Sequence, residues 1–133
     1  IAIDWGWSGP GPLGSELAPI VASASLWFID VQPEDLPEVD HVAFAGYLQG
    51  LREAGWRGNA KLARLGYAAS VAMRFAPLLG WFELAASTED GQAWLCSFCS
   101  QSLEEVADRI AAIRRFALGH VQEARTLLQV IDQ

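Results

Sequence analysis

The first residues whose types and spacing could do chemistry are Asp4 and the glycines that follow it. Ile1–Ile3 is a short apolar run that predicts a β-strand, and Asp4-Trp5-Gly6 stands at its end. The strand would fix the backbone of the carboxylate, and a glycine-containing loop lets phosphates or other ligands come close. This arrangement is a common way to hold a metal ion. The alternative is a turn residue whose carboxylate caps local backbone amides.

A longer string around Asp4 is more specific than the triplet. It consists of Ala2-Ile3-Asp4-Trp5-Gly6, then Gly9-Pro10-Gly11-Pro12-Leu13-Gly14, then Glu16-Leu17-Ala18. This string resembles the corresponding region of the aminoglycoside phosphotransferase family of small-molecule kinases. That family shows an Ile-Asp-Trp core, a Gly-rich stretch and an acidic-Leu-Ala opening of the next helix. The triplet is also similar to the Asp-Phe-Gly of protein kinases, whose Asp binds magnesium.

The resemblance implies a fold, a reaction and two site residues. The fold would be mainly α, the helical C-terminal lobe of a protein-kinase-like fold, with a short strand and a Gly/Pro loop at its N-terminus. The reaction would transfer the γ-phosphoryl group of ATP, with Mg²⁺, to a hydroxyl of a small molecule. Asp4 would be the metal ligand. Glu16 stands where the family usually has Asp, and its implied role is structural, tying the helix start to the neighbouring loop.

The resemblance also implies that much of the active site lies outside these residues. The family's catalytic loop, His-Gly-Asp followed by an Asn, precedes the magnesium-binding Asp, and the nucleotide lid and lysine of the N-lobe precede both. We therefore expect no catalytic residue within this chain, an upstream N-lobe of the same protein as its partner, and no kinase activity from the chain alone. The first residue, Ile1, is not Met, which favours a fragment or a processed chain.

Composition and charge limit the function classes. With 52% hydrophobic and 19% charged residues over 133 positions, the chain is expected to form a single compact domain. The net charge is −7, and no Lys or Arg occurs before Arg52, which argues against nucleic acid as a partner. No apolar stretch is long enough to span a bilayer, and no signal-peptide pattern is present. These features predict no membrane partner and a cytoplasmic location.

The acidic residues of the first half have two interpretations. Glu34, Asp35, Glu38 and Asp40 follow one another closely and could line a pocket for a cationic small-molecule substrate. Alternatively, Glu34, Asp35 and Glu38 occupy the first turn of a helix, where the helix dipole favours negative charge.

The cysteines and histidines favour structural roles. Cys96 and Cys99 lie three residues apart on a predicted helix, and two small buried thiols are the default for such a pair. A zinc site would need two more ligands, and His41 and His120 are far away in sequence. His41 is expected on the surface, and His120 is expected to be a core or boundary residue.

The remaining sequence predicts helices. Residues 1–18 are assigned to the metal-site strand and loop and 19–133 to the helices of one domain. Ser15 is the predicted cap of the first helix, a second helix starts near Pro33–Leu36, a third follows Asn59, and Ser102 with Glu105 predicts a capping box for the last. Pro77 is predicted to kink or end the third helix, Ser87–Gly91 to form a turn, and Gly119 to bend or divide the last helix. An all-helical interaction module without catalytic activity is the alternative function.

Overall fold

The computed structural model describes residues 10–27 and 31–131, which form five α-helices. These are α1 (Ala18–Trp27), α2 (Leu36–Glu53), α3 (Ala60–Ala86), α4 (Glu89–Cys99) and α5 (Leu103–Ile131), with a 3-10 turn at Pro33–Asp35 before α2. No strand occurs in these ranges, so the mainly α prediction is confirmed for the described residues. The predicted strand Ile1–Ile3 lies outside them.

The last helix begins as the sequence predicts. The Glu105 carboxylate accepts hydrogen bonds from the backbone N–H and the hydroxyl of Ser102, and the Glu105 N–H donates to the Ser102 Oγ at 3.3 Å. These reciprocal bonds form a capping box. Gly119 does not divide α5, which is continuous to Ile131.

Two other helix starts differ from the prediction. Thr88 caps α4 by accepting a hydrogen bond from the Gly91 N–H at 3.1 Å, so Glu89–Gly91 form the first turn of a helix rather than an irregular turn. At α1, Ser15 is not the cap. Gly14 adopts a left-handed φ of 89°, the chain turns once more, and the helix starts at Ala18.

Helix α3 lies at the centre of the molecule and packs against α1, α4 and α5. Its buried side chains are Ala63, Tyr67, Ala68, Val71, Phe75, Leu79 and Phe82. The helix continues past Pro77, so of the kink or end predicted at this residue, the end is wrong. Its long buried face supplies the packing free energy that offsets the backbone hydrogen bond that proline cannot make.

A glycine of α3 allows the Gly/Pro loop to lie directly on the helix backbone. A Cβ built at Gly66 would collide with the backbone carbonyl oxygen of Leu13, and it would also lie 3.1 Å from the Cβ of Pro12. Only a residue without a side chain permits this approach, since the obstacle is main chain rather than a flexible side chain.

Substituting this glycine tests the contact between the loop and α3. We expect Gly66→Ala to lower the free energy of unfolding by about 1–3 kcal/mol, because the added methyl group must displace the loop. Gly46→Ala on α2 is the matched control, since a Cβ there meets nothing within 4 Å. It should raise stability by up to about 1 kcal/mol through helix propensity. Urea unfolding of both variants measures the difference, and a stabilising effect of Gly66→Ala would contradict the packing.

Candidate functional site

The structure describes part of the predicted site. Asp4, the predicted metal ligand, lies in residues 1–9, outside the described ranges. Glu16 and the second half of the Gly/Pro loop, from Pro10 onward, are described. The described part of the site is therefore the region where the loop meets the helices.

Gly14 holds the loop against the first turns of α3. With its positive φ, it brings the chain so close that a Cβ would collide with the Ala63 carbonyl oxygen and lie 2.9 Å from the Cβ of Tyr67. Residues with side chains are disfavoured here on two grounds, the left-handed backbone and the lack of space. This end of the loop is consequently fixed to α3 by its backbone.

Tyr47 of α2 ties the same turn to Glu16. The Gly14 N–H donates to the Tyr47 hydroxyl oxygen at 2.9 Å, and that hydroxyl donates to the Glu16 Oε1 at 2.5 Å. Burial, together with the hydrogen bond to the Glu16 carboxylate, raises the pKa of Tyr47 above its ordinary value. Glu16 thus lies within a tether that joins the loop to α2.

A charge network lies beside this anchor and joins three helices through Arg64 of α3. The guanidinium donates to both carboxylate oxygens of Asp40 on α2, at 3.0 and 2.8 Å. It also donates to both oxygens of Glu123 on α5, at 2.6 and 2.9 Å. Its carbon lies 4.9 Å from the ring centroids of both Phe44 and Tyr67, so the cation lies over two neighbouring rings whose centroids are 5.7 Å apart. Bidentate hydrogen bonds between a guanidinium and a carboxylate fix the relative orientation of the two side chains and also pair their charges.

His120 completes the network from α5. Its Nε2 lies 3.3 Å from the Asp40 Oδ1 and its Nδ1 lies 3.1 Å from the Phe116 carbonyl oxygen. Both partners are acceptors, so both hydrogen bonds form only when each ring nitrogen carries a hydrogen. The prediction of a core or boundary histidine is confirmed, since His120 is 5% exposed.

The network keeps Asp40 ionised. Burial alone would raise the pKa of Asp40, but the hydrogen bonds from His120 and Arg64 outweigh it and hold that pKa well below its usual range. The same partners engage both of its oxygens, and only 9% of the residue is exposed. Asp40 therefore has no free face for a cationic substrate, whereas Glu34, Asp35 and Glu38 are exposed.

Tyr67 links the network to the loop. Its ring contacts the Arg64 guanidinium on one side and His120 edge-on at 5.4 Å, while its backbone and Cβ lie against Gly14. Burial raises the pKa of the Tyr67 hydroxyl above its ordinary value, and the neighbouring Asp40 carboxylate adds to the effect. The hydroxyl is buried close to that carboxylate, although no hydrogen bond of good geometry joins it to a described residue.

The accessibility of this network indicates what it can do. Asp40 and His120 are almost closed to solvent, so a small molecule cannot reach their reactive atoms. The network therefore positions helices and the loop, and it does not perform acid–base chemistry. Residues 10–27 and 31–131 contain no group of three or more His, Cys, Asp or Glu that could hold a metal ion.

The other candidates from the sequence lie apart from this network. Cys99 is buried and Cys96 partly buried on α4, and burial raises the pKa of the Cys99 thiol, as expected for a packed cysteine. His41 is exposed, as predicted. A shallow groove of about 480 Å³ runs between the 3-10 turn and the start of α5, with charges of both signs along it.

Comparison with protein-family models, with curated proteins and with solved structures finds no match for this chain. Among the described residues, no helix is both long and apolar enough to cross a membrane.

Acid should weaken the fold through Asp40. The pKa of Asp40 is lower in the folded protein than in the unfolded chain, where it is about 4, so the ionised carboxylate stabilises the fold. This contribution is complete above the unfolded pKa and is lost as the pH falls from there towards the folded pKa. We expect Asp40→Asn to remove this part of the pH dependence and to cost about 3 kcal/mol at neutral pH, because Arg64 and His120 lose their charged partner. Urea unfolding between about pH 7 and pH 3 measures both effects.

The ion pair of Glu83 with Arg114 provides the matched control for Asp40. Both side chains are about half exposed, so Glu83→Gln should change stability by no more than about 1 kcal/mol. If Asp40→Asn lowered the free energy of unfolding as little as Glu83→Gln does, the central role of the buried network would be wrong.

The tether through Tyr47 makes a separate prediction. Tyr47→Phe leaves the Gly14 N–H and Glu16 without this partner and should cost about 1 kcal/mol, with faster amide hydrogen exchange at Gly14. Gln49→Ala is the matched control, because it removes an exposed hydrogen bond to Glu53 on the same helix and should cost no more than about 0.5 kcal/mol. Equal losses from the two substitutions would contradict the tether.

Proposed function

We propose that this chain is the C-terminal, helical part of a phosphotransferase that uses ATP and Mg²⁺ to phosphorylate a hydroxyl of a small molecule. The proposal starts from the resemblance of residues 2–18 to aminoglycoside phosphotransferases. The observation that supports it most is the double attachment of the Gly/Pro loop, to α3 through Gly14 and to α2 through Tyr47.

The attachment matters because phosphoryl transfer depends on positioning. Charge on the transferred group is neutralised by metal ions, and those ions must be held by ligands that do not move during the reaction. A loop that leaves a helical platform at a fixed point loses less conformational entropy when its ligand binds. Glu16 contributes to this platform through Tyr47, consistent with the structural role that the resemblance implies.

In this proposal Asp4 binds Mg²⁺ and no catalytic residue comes from the 133 residues of the chain. The base and the nucleotide-binding groups would come from an upstream catalytic loop and N-lobe. Mg²⁺, when bound, would neutralise charge on the nucleotide phosphates. Three acidic residues near the start of α2 are exposed and would attract a cationic substrate, namely Glu34, Asp35 and Glu38. Asp40 would not, because its carboxylate is bound by Arg64. A cytoplasmic location would suit a nucleotide-dependent enzyme.

A different observation favours the second candidate, an all-helical interaction module. Trp81, Trp94 and Phe98 are each between 42% and 50% exposed, which is unusual for large aromatic residues away from an interface. The coding sequence upstream of Ile1 discriminates between the two functions. A His-Gly-Asp motif followed by Asn would support the phosphotransferase, and its absence would favour the interaction module.

The role of Asp4 can be tested in the protein that includes the upstream sequence. We expect Asp4→Asn to lower magnesium-dependent ATP turnover by about 100-fold or more, because one ligand of the metal site is lost. Asp35→Asn is the control, an exposed carboxylate of the 3-10 turn, and should leave kcat unchanged. The 133-residue chain alone should show no turnover. Turnover by this chain alone would contradict the claim that the catalytic residues lie upstream. Equal activity of the two variants would contradict the role of Asp4 as a metal ligand.

A further inference from the structure

An exposed apolar surface covers the C-terminal half of α3 and the neighbouring face of α4. It consists of Met73, Trp81 and Leu84 on α3 and Trp94 and Phe98 on α4, with exposed fractions of 75%, 50%, 69%, 42% and 42% in that order. We call these five residues the α3–α4 surface. None of them carries a charge, although their positions on the outside of the helices favour polar residues.

The aromatic part of this surface is held in one arrangement. Trp81 and Trp94 meet edge to face at 5.2 Å, and Trp94 and Phe98 stack at 5.0 Å. Trp81 also meets the core residue Phe82 at 5.3 Å, which connects the surface to the interior. Side chains already fixed in this way lose little conformational entropy when a partner covers them.

The area suits a protein interface. With roughly 200 Å² for each side chain, the exposed fractions sum to about 550 Å². This area lies near the upper end of the range for the largest apolar patch on a typical monomer, which is about 300–600 Å². Two such surfaces facing each other would bury about 1,100 Å², which is close to the lower bound for a specific interface.

We propose that the α3–α4 surface is a two-fold interface between two copies of this chain, with the α3 helices packed antiparallel. Such an interface must be complementary to itself. Met73 and Leu84 lie equally far from the midpoint between Leu78 and Leu79, so antiparallel pairing brings Met73 of one copy opposite Leu84 of the other. Near that midpoint, Gly80 is exposed and a Cβ there would meet nothing, which lets the two backbones approach closely.

The charges around the surface are of both signs. Glu83, Glu89 and Asp90 are acidic, Arg74 follows Met73, and Arg114 pairs with Glu83. A surface that binds anionic lipid is instead bordered mainly by Lys and Arg, so this border fits a second copy of the chain better than a membrane. The uncharged centre is also more typical of homodimers than of transient complexes between different proteins, whose interfaces are as polar as the rest of the surface.

The interface leaves the Gly/Pro loop free. Gly66, which the loop covers, and Trp81 are fifteen residues apart on α3, a distance of about 22 Å along the helix. The proposed dimer contact and the loop contact therefore lie on different parts of α3.

The oligomeric state of the full chain tests the proposal. Sedimentation velocity from about 1 to 200 μM should show a monomer–dimer equilibrium with a Kd in the micromolar range. Leu84→Glu should weaken the dimer at least about 100-fold, because it buries a charge in an apolar interface. Val42→Glu, at a 59% exposed position on α2, should leave the Kd unchanged. Circular dichroism confirms that each variant is folded.

Cross-linking tests the arrangement of the helices independently. Gly80→Cys should form a disulfide between two copies under mild oxidation, because antiparallel packing brings the two positions close to the symmetry axis. Gly46→Cys, at an equally open glycine of α2, should not. A monomer at 200 μM, a dimer that Leu84→Glu leaves intact, or equal cross-linking at both positions would each overturn the proposal.

Discussion

The fork formed by Arg64 and Asp40 is the interaction on which the arrangement of the helices depends. Its two hydrogen bonds join α3 to α2, and the same guanidinium binds Glu123 on α5. Buried charges contribute little net stability compared with apolar residues of the same shape, because desolvation offsets the attraction. Their directional bonds, however, are satisfied in only one arrangement of the three helices. The network therefore specifies geometry more than it adds free energy.

This geometry matters because the first turns of α3 contain the small residues Ala63, Gly66 and Ala68, and the loop backbone comes close to two of them. Tyr67 is the large buried side chain of these turns, and Phe75 and Phe82 follow further along the helix. The directional hydrogen bonds of Arg64 add a fixed register to this part of the helix. Tyr67 extends the same constraint to Gly14, so the position of the loop depends on the charge network.

Local signals in the sequence predict much of the fold but little of the network. The capping box at Ser102 and the helix start after Asn59 follow from short-range hydrogen bonds, so they are visible in neighbouring residues. Asp40, Arg64 and His120 lie on three different helices, and no spacing rule connects them. Helical spacing indicates a shared face only for pairs on one helix, such as Asp40 with Phe44, Arg64 with Tyr67, and His120 with Glu123. Arg109 shows the same difficulty, since it belongs to a helix rich in exposed arginines yet is buried against the Val31 carbonyl.

The position of the anchor also limits what it can do for a metal site at Asp4. Asp4 and Pro12 are eight positions apart, a span of up to about 28 Å when fully extended. Pro10 and Pro12 reduce the number of backbone conformations available over part of that span. A metal ligand nevertheless has to be placed within about 0.5 Å, and attachment at one end of the loop, at this distance, is too loose for that. In the proposed phosphotransferase, the strand predicted at Ile1–Ile3 would supply the second fixed point by pairing with another strand.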